Sequence, residues 1–240
     1  MDVKEEDILG PELARHWYYV SKGRALLSFL RHVRGASLLD VGAGSGIFSR
    51  QLLDAGVCER ATCVDPAYEE ERTESHNGRE ISFVRQVDQP TQNLVVMMDV
   101  LEHVDDDVGL LRQYSETLPP DGWVLISVPA FQFLWSGHDI FLEHRRRYTR
   151  RQIEDVVQKA GLTVVRSRYF FGLLFPAAAA IRLYAAWRLK RQGPAPKSDL
   201  RKAPALLNWA LTLLQDIERV TLFRFNKIAG LSIFCLARRK

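Results

Sequence analysis

The sequence predicts a single doubly wound α/β fold, a largely parallel sheet of seven strands with intervening helices. Three observations predict it. Apolar strand-like runs alternate with helix-like periodic segments from Ser37 to the C-terminus. The first of these runs leads through a glycine-rich turn into an amphipathic helix, in the segment SLLDVGAGSGIFSR. The chain has 240 residues, 47% of them hydrophobic, which suffices for one domain with a full core and excludes disorder.

Each element has its own signature. A first helix is expected over residues 11–33, ahead of strand SLLDV. A second, over residues 47–55, leads to strand ATCVD. The polar stretch AYEEERTESHNGRE then separates that strand from ISFVRQV, the weakest strand signal in the chain. Strand NLVVMMD follows, then a helix over residues 106–118 and strand WVLISVP. Thr149 is a good helix N-cap and Gly161 a good C-terminal stop, bounding a helix over residues 149–160 before strand LTVVRSRYF. GLSIFCLARR supplies the last strand. In such a sheet, ligands gather at the carboxyl ends of the strands.

The glycine turn narrows the ligand. Gly42 and Gly44 let the backbone bend tightly and approach a molecule that a Cβ would hold off, and Gly46 lets the helix pack close to the strand. A dinucleotide fingerprint needs G-x-G-x-x-G to seat a pyrophosphate on the helix N-terminus. This loop instead runs G-x-G-x-G, with Asp40 two residues ahead of the first glycine. That spacing suits a zwitterionic amino-acid tail better than a diphosphate. Asp65 ends the next strand roughly 20 residues on, where a carboxylate can accept hydrogen bonds from both ribose hydroxyls. Adenosine with a methionine tail, S-adenosylmethionine, is the implied cofactor. A nicotinamide-dependent reductase fails on the glycine spacing and on the lack of a Tyr-x-x-x-Lys hydride-site pair.

The glycine segment resembles motif I of the class I S-adenosylmethionine-dependent methyltransferases. MMDVLEHVDDD looks like the strand 4 segment of that superfamily, and LPPDGWVLISVPA like its turn and fifth strand. ARHWYYVSKGR and HDIFLEHRRRYTRRQI are similar to a bacterial subgroup that often accompanies glycan or polyprenyl-lipid pathways, so the likeness spans most of residues 12–170. The resemblance implies a Rossmann-like sheet with an antiparallel last strand. Its implied cofactor set is Asp40, Gly42, Gly44, Gly46, Asp65, Asp99 and Leu101, with Glu102 structural. The family's acid on the adenine amine is not evident, and Asp88 is the nearest candidate. Trp17, Tyr18 and Tyr19 lie on a first helix that can close over the cofactor or pack in the core. The implied activity is methyl transfer, with oxygen favoured, to a small or lipid-like hydrophobic acceptor. The alternatives are N- or C-methylation, or a non-catalytic cofactor-binding partner protein.

Methyl transfer to a hydroxyl needs an in-line acceptor and a group to take its proton. His103, just after the fourth strand, and His138 and His144, after the fifth, are the candidate bases. Phe131, Trp135, Asp139, Arg146 and Tyr148 fall in the loop where the resembled family meets its acceptor. Arginines 145 to 147 read equally as an anion anchor or as solvated surface. No metal is expected, since H-D-x-x-x-x-H is not a recognised ligand spacing.

Residues 172–226 set the chain apart. About 50 residues stand where the family often has a short hairpin. They run from a greasy stretch, FFGLLFPAAAAIRLYAAW, through KRQGPAPKSDLRK to PALLNWALTLLQDIERVTLFRF. From Arg182 to Lys202 seven basic residues face one acid, a balance of +6 against +4 for the whole chain. The expected organisation is an N-terminal helical cap (1–36), a cofactor-binding core (37–171), a helical insertion serving as lid, dimer surface or membrane dock (172–226), and the last strand (227–240). Arg182 and Arg188 interrupt the apolar run, which favours an interfacial helix on an anionic membrane over a spanning one. Nucleic acid is disfavoured, because the basic residues adjoin a greasy helix rather than stacking aromatics. Cys58, Cys63 and Cys235 form no pair or metal spacing and read as reduced core residues. With no signal-peptide pattern at the N-terminus, a cytoplasmic protein is expected, membrane association remaining open. The oligomeric state is not legible.

Overall fold

The computed structural model describes residues 8–34, 36–88, 90–192 and 202–239, and the side chains of 185–192 lie outside that description, Trp187 and Arg188 among them. Most of the basic loop between the insertion's two halves also falls outside it. The strands are β1 (Ala36–Val41), β2 (Cys58–Val64), β3 (Arg72–His76), β4 (Arg79–Val84), β5 (Leu94–Met98), β6 (Trp123–Pro129), β7 (Leu162–Phe170) and β8 (Ser232–Arg239). The helices are α1 (Trp17–Phe29), α2 (Ile47–Asp54), α3 (Asp107–Ser115), α4 (Gly137–Phe141), α5 (Arg150–Lys159), α6 (Phe175–Gln192) and α7 (Ala205–Thr221).

All eight strands form one sheet, in the order β3-β4-β2-β1-β5-β6-β8-β7. β4, β2, β1, β5 and β6 run parallel, while β8 lies antiparallel between β6 and β7. The doubly wound sheet expected from the sequence is present, with one strand more than the seven anticipated. The addition, β3, folds back on β4 through Asn77 and Gly78, whose φ values of 51° and 78° are both left-handed. Asn-Gly flanked by extended segments is a strong short-range hairpin signal.

Strand alternation builds two cores. Leu94, Val96 and Met98 of β5 face α1 and α2, and Val95 and Met97 face α3 and α5. Cys58, Cys63 and Cys235 are buried free thiols within these layers.

The expected first helix is broken. Residues Gly10–Arg15 form a 3₁₀ turn, and His16, extended at φ −68° and ψ 132°, caps α1 instead of continuing the turn. α7 docks there from the far end of the chain. Asn208 accepts from the Trp17 N–H at 2.7 Å and donates to the Arg15 carbonyl at 2.9 Å. The buried Glu218 carboxylate accepts from the Gly172 and Leu173 N–H groups at 2.7 and 3.0 Å, tying α7 to the start of α6.

Candidate functional site

At the carboxyl end of β1, Gly42, Gly44 and Gly46 all take left-handed φ values, 66°, 52° and 70°. Only residues without a Cβ enter that region readily. Gly46 is also sterically compelled: a Cβ there would lie 2.9 Å from the Phe83 ring and 3.3 Å from Cys63 Sγ. The loop is held on Asp65. The Gly44 N–H donates to Asp65 Oδ2 at 3.1 Å, the Ala67 N–H to Oδ1 at 3.0 Å, and the Tyr68 hydroxyl to the Gly44 carbonyl at 2.6 Å. Asp65, though largely buried, thus holds both carboxylate oxygens in polar company beside the glycine turn. Asp40 lies beneath the turn and accepts from the Ser49 hydroxyl at 2.7 Å; burial pushes its carboxyl up to about 6. Asp88 is exposed, four residues past β4.

Asp99, directly after β5, has φ 56°, a strained setting for a residue with a side chain. Its partner, Lys22, was not anticipated from the sequence. Lys22 comes from α1, is fully buried, and forms an ion pair with Asp99 while donating to the Tyr18 hydroxyl at 3.0 Å. Burial alone would lower the lysine's pKa, but Asp99 and Tyr18 outweigh it and hold the ammonium protonated. The available signal was a lysine four residues after a tyrosine, on the same face of the helix.

Glu102 and His103 occupy the 3₁₀ turn Leu101–His103, and His144 comes from the loop after α4. The His103 and His144 rings meet edge to face at 4.8 Å. The segment carrying the arginines clamps the two stretches together. The Arg145 N–H and Nε donate to the Glu102 and His103 carbonyls at 2.7 and 2.8 Å, Arg146 Nη2 to the Val104 carbonyl at 2.9 Å, and the Tyr148 hydroxyl to the Leu101 carbonyl at 3.0 Å. Several of the residues expected at the acceptor have partners within the protein. Arg146 is spent on this clamp and on Asp107, and Tyr148 is buried with its hydroxyl on Leu101 and Asp107. Asp139 is fully buried and bonded to the Ser136 N–H, Arg147 and His144. Burial would raise the Asp139 carboxyl, but His144 and Arg147 hold it well below the usual range. Leu101 is a buried core residue whose carbonyl accepts from the Tyr148 hydroxyl.

Phe131, Phe133, Phe175 and Tyr169 make an apolar wall beside these groups. Phe131 stacks on Tyr169 at 5.0 Å and meets Phe133 and Phe175 at 5.3 and 5.5 Å. Trp135 is half-buried on the same loop, and His138 opens α4 with its ring centroid 6.4 Å from that of His144. Phe175, the first residue of α6, belongs to this wall.

A profile described as a methyltransferase domain matches residues 14–167. A ubiquinone biosynthesis O-methyltransferase of Nitrosospira multiformis is 33% identical over 108 residues, 40% of this chain and 45% of the relative. The chain spans about half the length of the curated relatives it matches. Among solved structures, the protein paired with the Haloferax volcanii Trm112 methyltransferase activator superposes with a TM-score of 0.55 at 18% identity, covering 95% of this chain and 91% of that one. Phosphoethanolamine N-methyltransferase 2 of Haemonchus contortus, in complex with S-adenosyl-L-methionine, gives 0.52 at 17% identity, over 90% of this chain and 52% of its own. At these identities the superpositions speak to fold alone. The profile, running from the α1 region into β7, covers well over half of the chain, and the protein belongs to the methyltransferase-domain family.

Proposed function

We propose that the protein transfers a methyl group from S-adenosylmethionine to an oxygen of a small or lipid-like hydrophobic acceptor. One observation carries this reading: the Asp65-held glycine turn stands at the same end of the sheet as the ion pair of buried Lys22 with half-buried Asp99. Asp65 can exchange its backbone bonds for two ribose hydroxyls. The opposed charges of Lys22 and Asp99 match the carboxylate and ammonium of a methionyl tail, so a zwitterion can insert between them without leaving either charge alone. The sulfonium is an activated donor, and the remaining task is to hold the acceptor in line and remove its proton. The phenylalanine wall supplies apolar contact for the acceptor. Of His103, His138 and His144, His144 is aligned by the buried Asp139, whereas burial and then His144 lower His103 to about 4 and keep it neutral.

Calorimetry tests the cofactor. S-adenosylhomocysteine is expected to bind more tightly than NAD, and Lys22→Met to weaken it at least about tenfold by removing a charge-assisted bond. Tighter binding of the dinucleotide would sink the reading. Lysate extracts incubated with enzyme and isotopically labelled methyl donor, followed by mass spectrometry, would then name the acceptor and its methylated atom.

The insertion favours a second statement, that residues 172–226 dock on an anionic membrane. Leu206, Leu213, Ile217 and Val220 form an exposed stripe along α7, and Ile181, Leu183 and Tyr184 are exposed on α6. The sequence places seven basic residues against one acid from Arg182 to Lys202. Among the described residues, no helix is long and apolar enough to cross a membrane. An interfacial helix with basic flanks fits that combination.

A further inference from the structure

We propose that Glu102, His103 and His144 bind a first-row divalent cation such as Zn²⁺. One carboxylate oxygen and one nitrogen from each imidazole all lie within 4.8 Å of one another. Neighbouring ligands on a tetrahedral ion sit about 3.4 Å apart, as follows from metal–ligand distances of about 2.1 Å, so side-chain rotations drawing the donors in by an ångström or so close the set. Three further features mark this cluster as more than proximity.

Glu102 is fully buried, and neither of its carboxylate oxygens has a hydrogen-bond partner. An orphaned buried carboxyl is costly to keep, and a cation would satisfy it. Next, the His144 ring nitrogen Nδ1 lies 2.9 Å from Asp139 Oδ1, and Asp139 is itself fixed by Arg147 Nε at 2.6 Å and Nη2 at 3.0 Å. A buried carboxylate that takes one ring N–H turns the other nitrogen outward as a lone-pair donor, the usual outer support of a metal-bound histidine. Finally, the backbone carrying two of the donors is anchored to the backbone carrying the third, through Arg145 to the Glu102 and His103 carbonyls at 2.7 and 2.8 Å. Ligand-bearing segments are thus held in register by contacts that do not involve the ligand atoms.

The donor set selects the ion. Two imidazoles and one carboxylate suit Zn²⁺, Fe²⁺ or Co²⁺, whereas Mg²⁺ and Ca²⁺ prefer oxygen alone. Three protein donors leave a coordination position for water or for an acceptor hydroxyl, which would ionise more readily on the metal. That last role rests on the methyl-transfer reading and refines it: His144 would then hold the ion rather than take the proton itself.

Equilibrium dialysis and optical titration of the untagged full chain test the site. The metal-free protein is expected to take up one equivalent of Zn²⁺, or of Co²⁺ with visible absorption of a low-coordinate complex, while Mg²⁺ does not compete. Glu102→Gln, His103→Ala and His144→Ala should each weaken Zn²⁺ at least tenfold, and Asp139→Asn about 10- to 100-fold. The exposed His32→Ala should leave it unchanged. Because Glu102→Gln could disturb the core, each variant's melting curve is recorded, and the His144→Ala result stands on its own if that variant melts as wild type. Absence of stoichiometric uptake by the folded chain, or an affinity that none of the three ligand substitutions alters, overturns the site. S-adenosylhomocysteine binding on the same preparation separates the two readings. Metal uptake without cofactor binding keeps the site and removes methyl transfer; cofactor binding without uptake removes the site alone.

Discussion

Asp65 and Asp40 differ in how their charge is compensated, and their substitutions should behave oppositely. Asp65 holds the Gly44 and Ala67 N–H groups, so Asp65→Ala both frees the loop and removes the proposed ribose acceptor. We expect S-adenosylhomocysteine affinity to fall by about 1.5–3 kcal/mol in calorimetry, the range for hydrogen bonds to a charged group. Asp40, by contrast, carries a carboxyl raised to about 6 by burial, with the Ser49 hydroxyl only partly offsetting it. A folded-state value above the unfolded one means stability that is complete below the unfolded value near 3.9 and lost as pH rises through about 6. Asp40→Asn cannot ionise and escapes that loss. In thermal melts of the cofactor-free protein, the variant should gain on wild type between pH 4 and pH 7.5, by up to about 3 kcal/mol. A constant difference across that range would show that Asp40 titrates normally. The glycines and acids were legible in the sequence because turn geometry and charge are written locally. Lys22 was not, because its meaning lies in Asp99, far away in the chain and brought near only by packing α1 on the sheet.

At the scale of elements, most boundaries followed from capping chemistry. Thr149 and Gln152 form the capping box that opens α5, and Gly161 at φ 85° ends it, as their positions in the sequence indicate. Where the reading missed, it missed non-local or short signals. The hairpin β3–β4 depends on two turn residues inside a charged stretch, and the break at His16 depends on Asn208 from the distant α7 meeting the exposed start of α1. The arginine segment was ambiguous for a related reason. Nothing local says that it reaches the carbonyls of residues 101–104 instead of water. Glycine substitutions separate two contributions within these elements. Gly161→Ala meets nothing within 4 Å and should cost only the left-handed strain, about 1–2 kcal/mol. Gly46→Ala adds overlap with the Phe83 ring and should cost at least about 1 kcal/mol more in chemical denaturation. Equal costs would mean that Phe83 yields freely.

For the whole molecule, charge and apolar exposure concentrate in the insertion, and vesicle sedimentation is the measurement that reads both. Each basic residue near an anionic bilayer contributes about 1 kcal/mol, within a screening length of about 8 Å at physiological salt. Binding to anionic vesicles should therefore fall steeply with salt. A residual, salt-insensitive part should shrink when Leu206 and Ile217, exposed by 77% and 48%, are replaced by Ser. No binding to anionic vesicles at low salt would remove the membrane proposal and leave the insertion as a lid or a dimer surface. The sheet itself offers no competing route to association. Its β3 edge presents the sequence RTESH, where Arg72 and Glu74 pair with each other and His76 with Asp54. Its β7 edge carries Arg166 and Arg168, which donate to carbonyls of Phe29 and Arg224, and a register shift between Val164 and Arg166. Charged, bulged borders are poor templates for an incoming strand. The protein can thus expose a greasy helical face without also offering a β-edge along which copies could stack into fibrils, so crowding on a membrane would concentrate it without seeding amyloid-like growth.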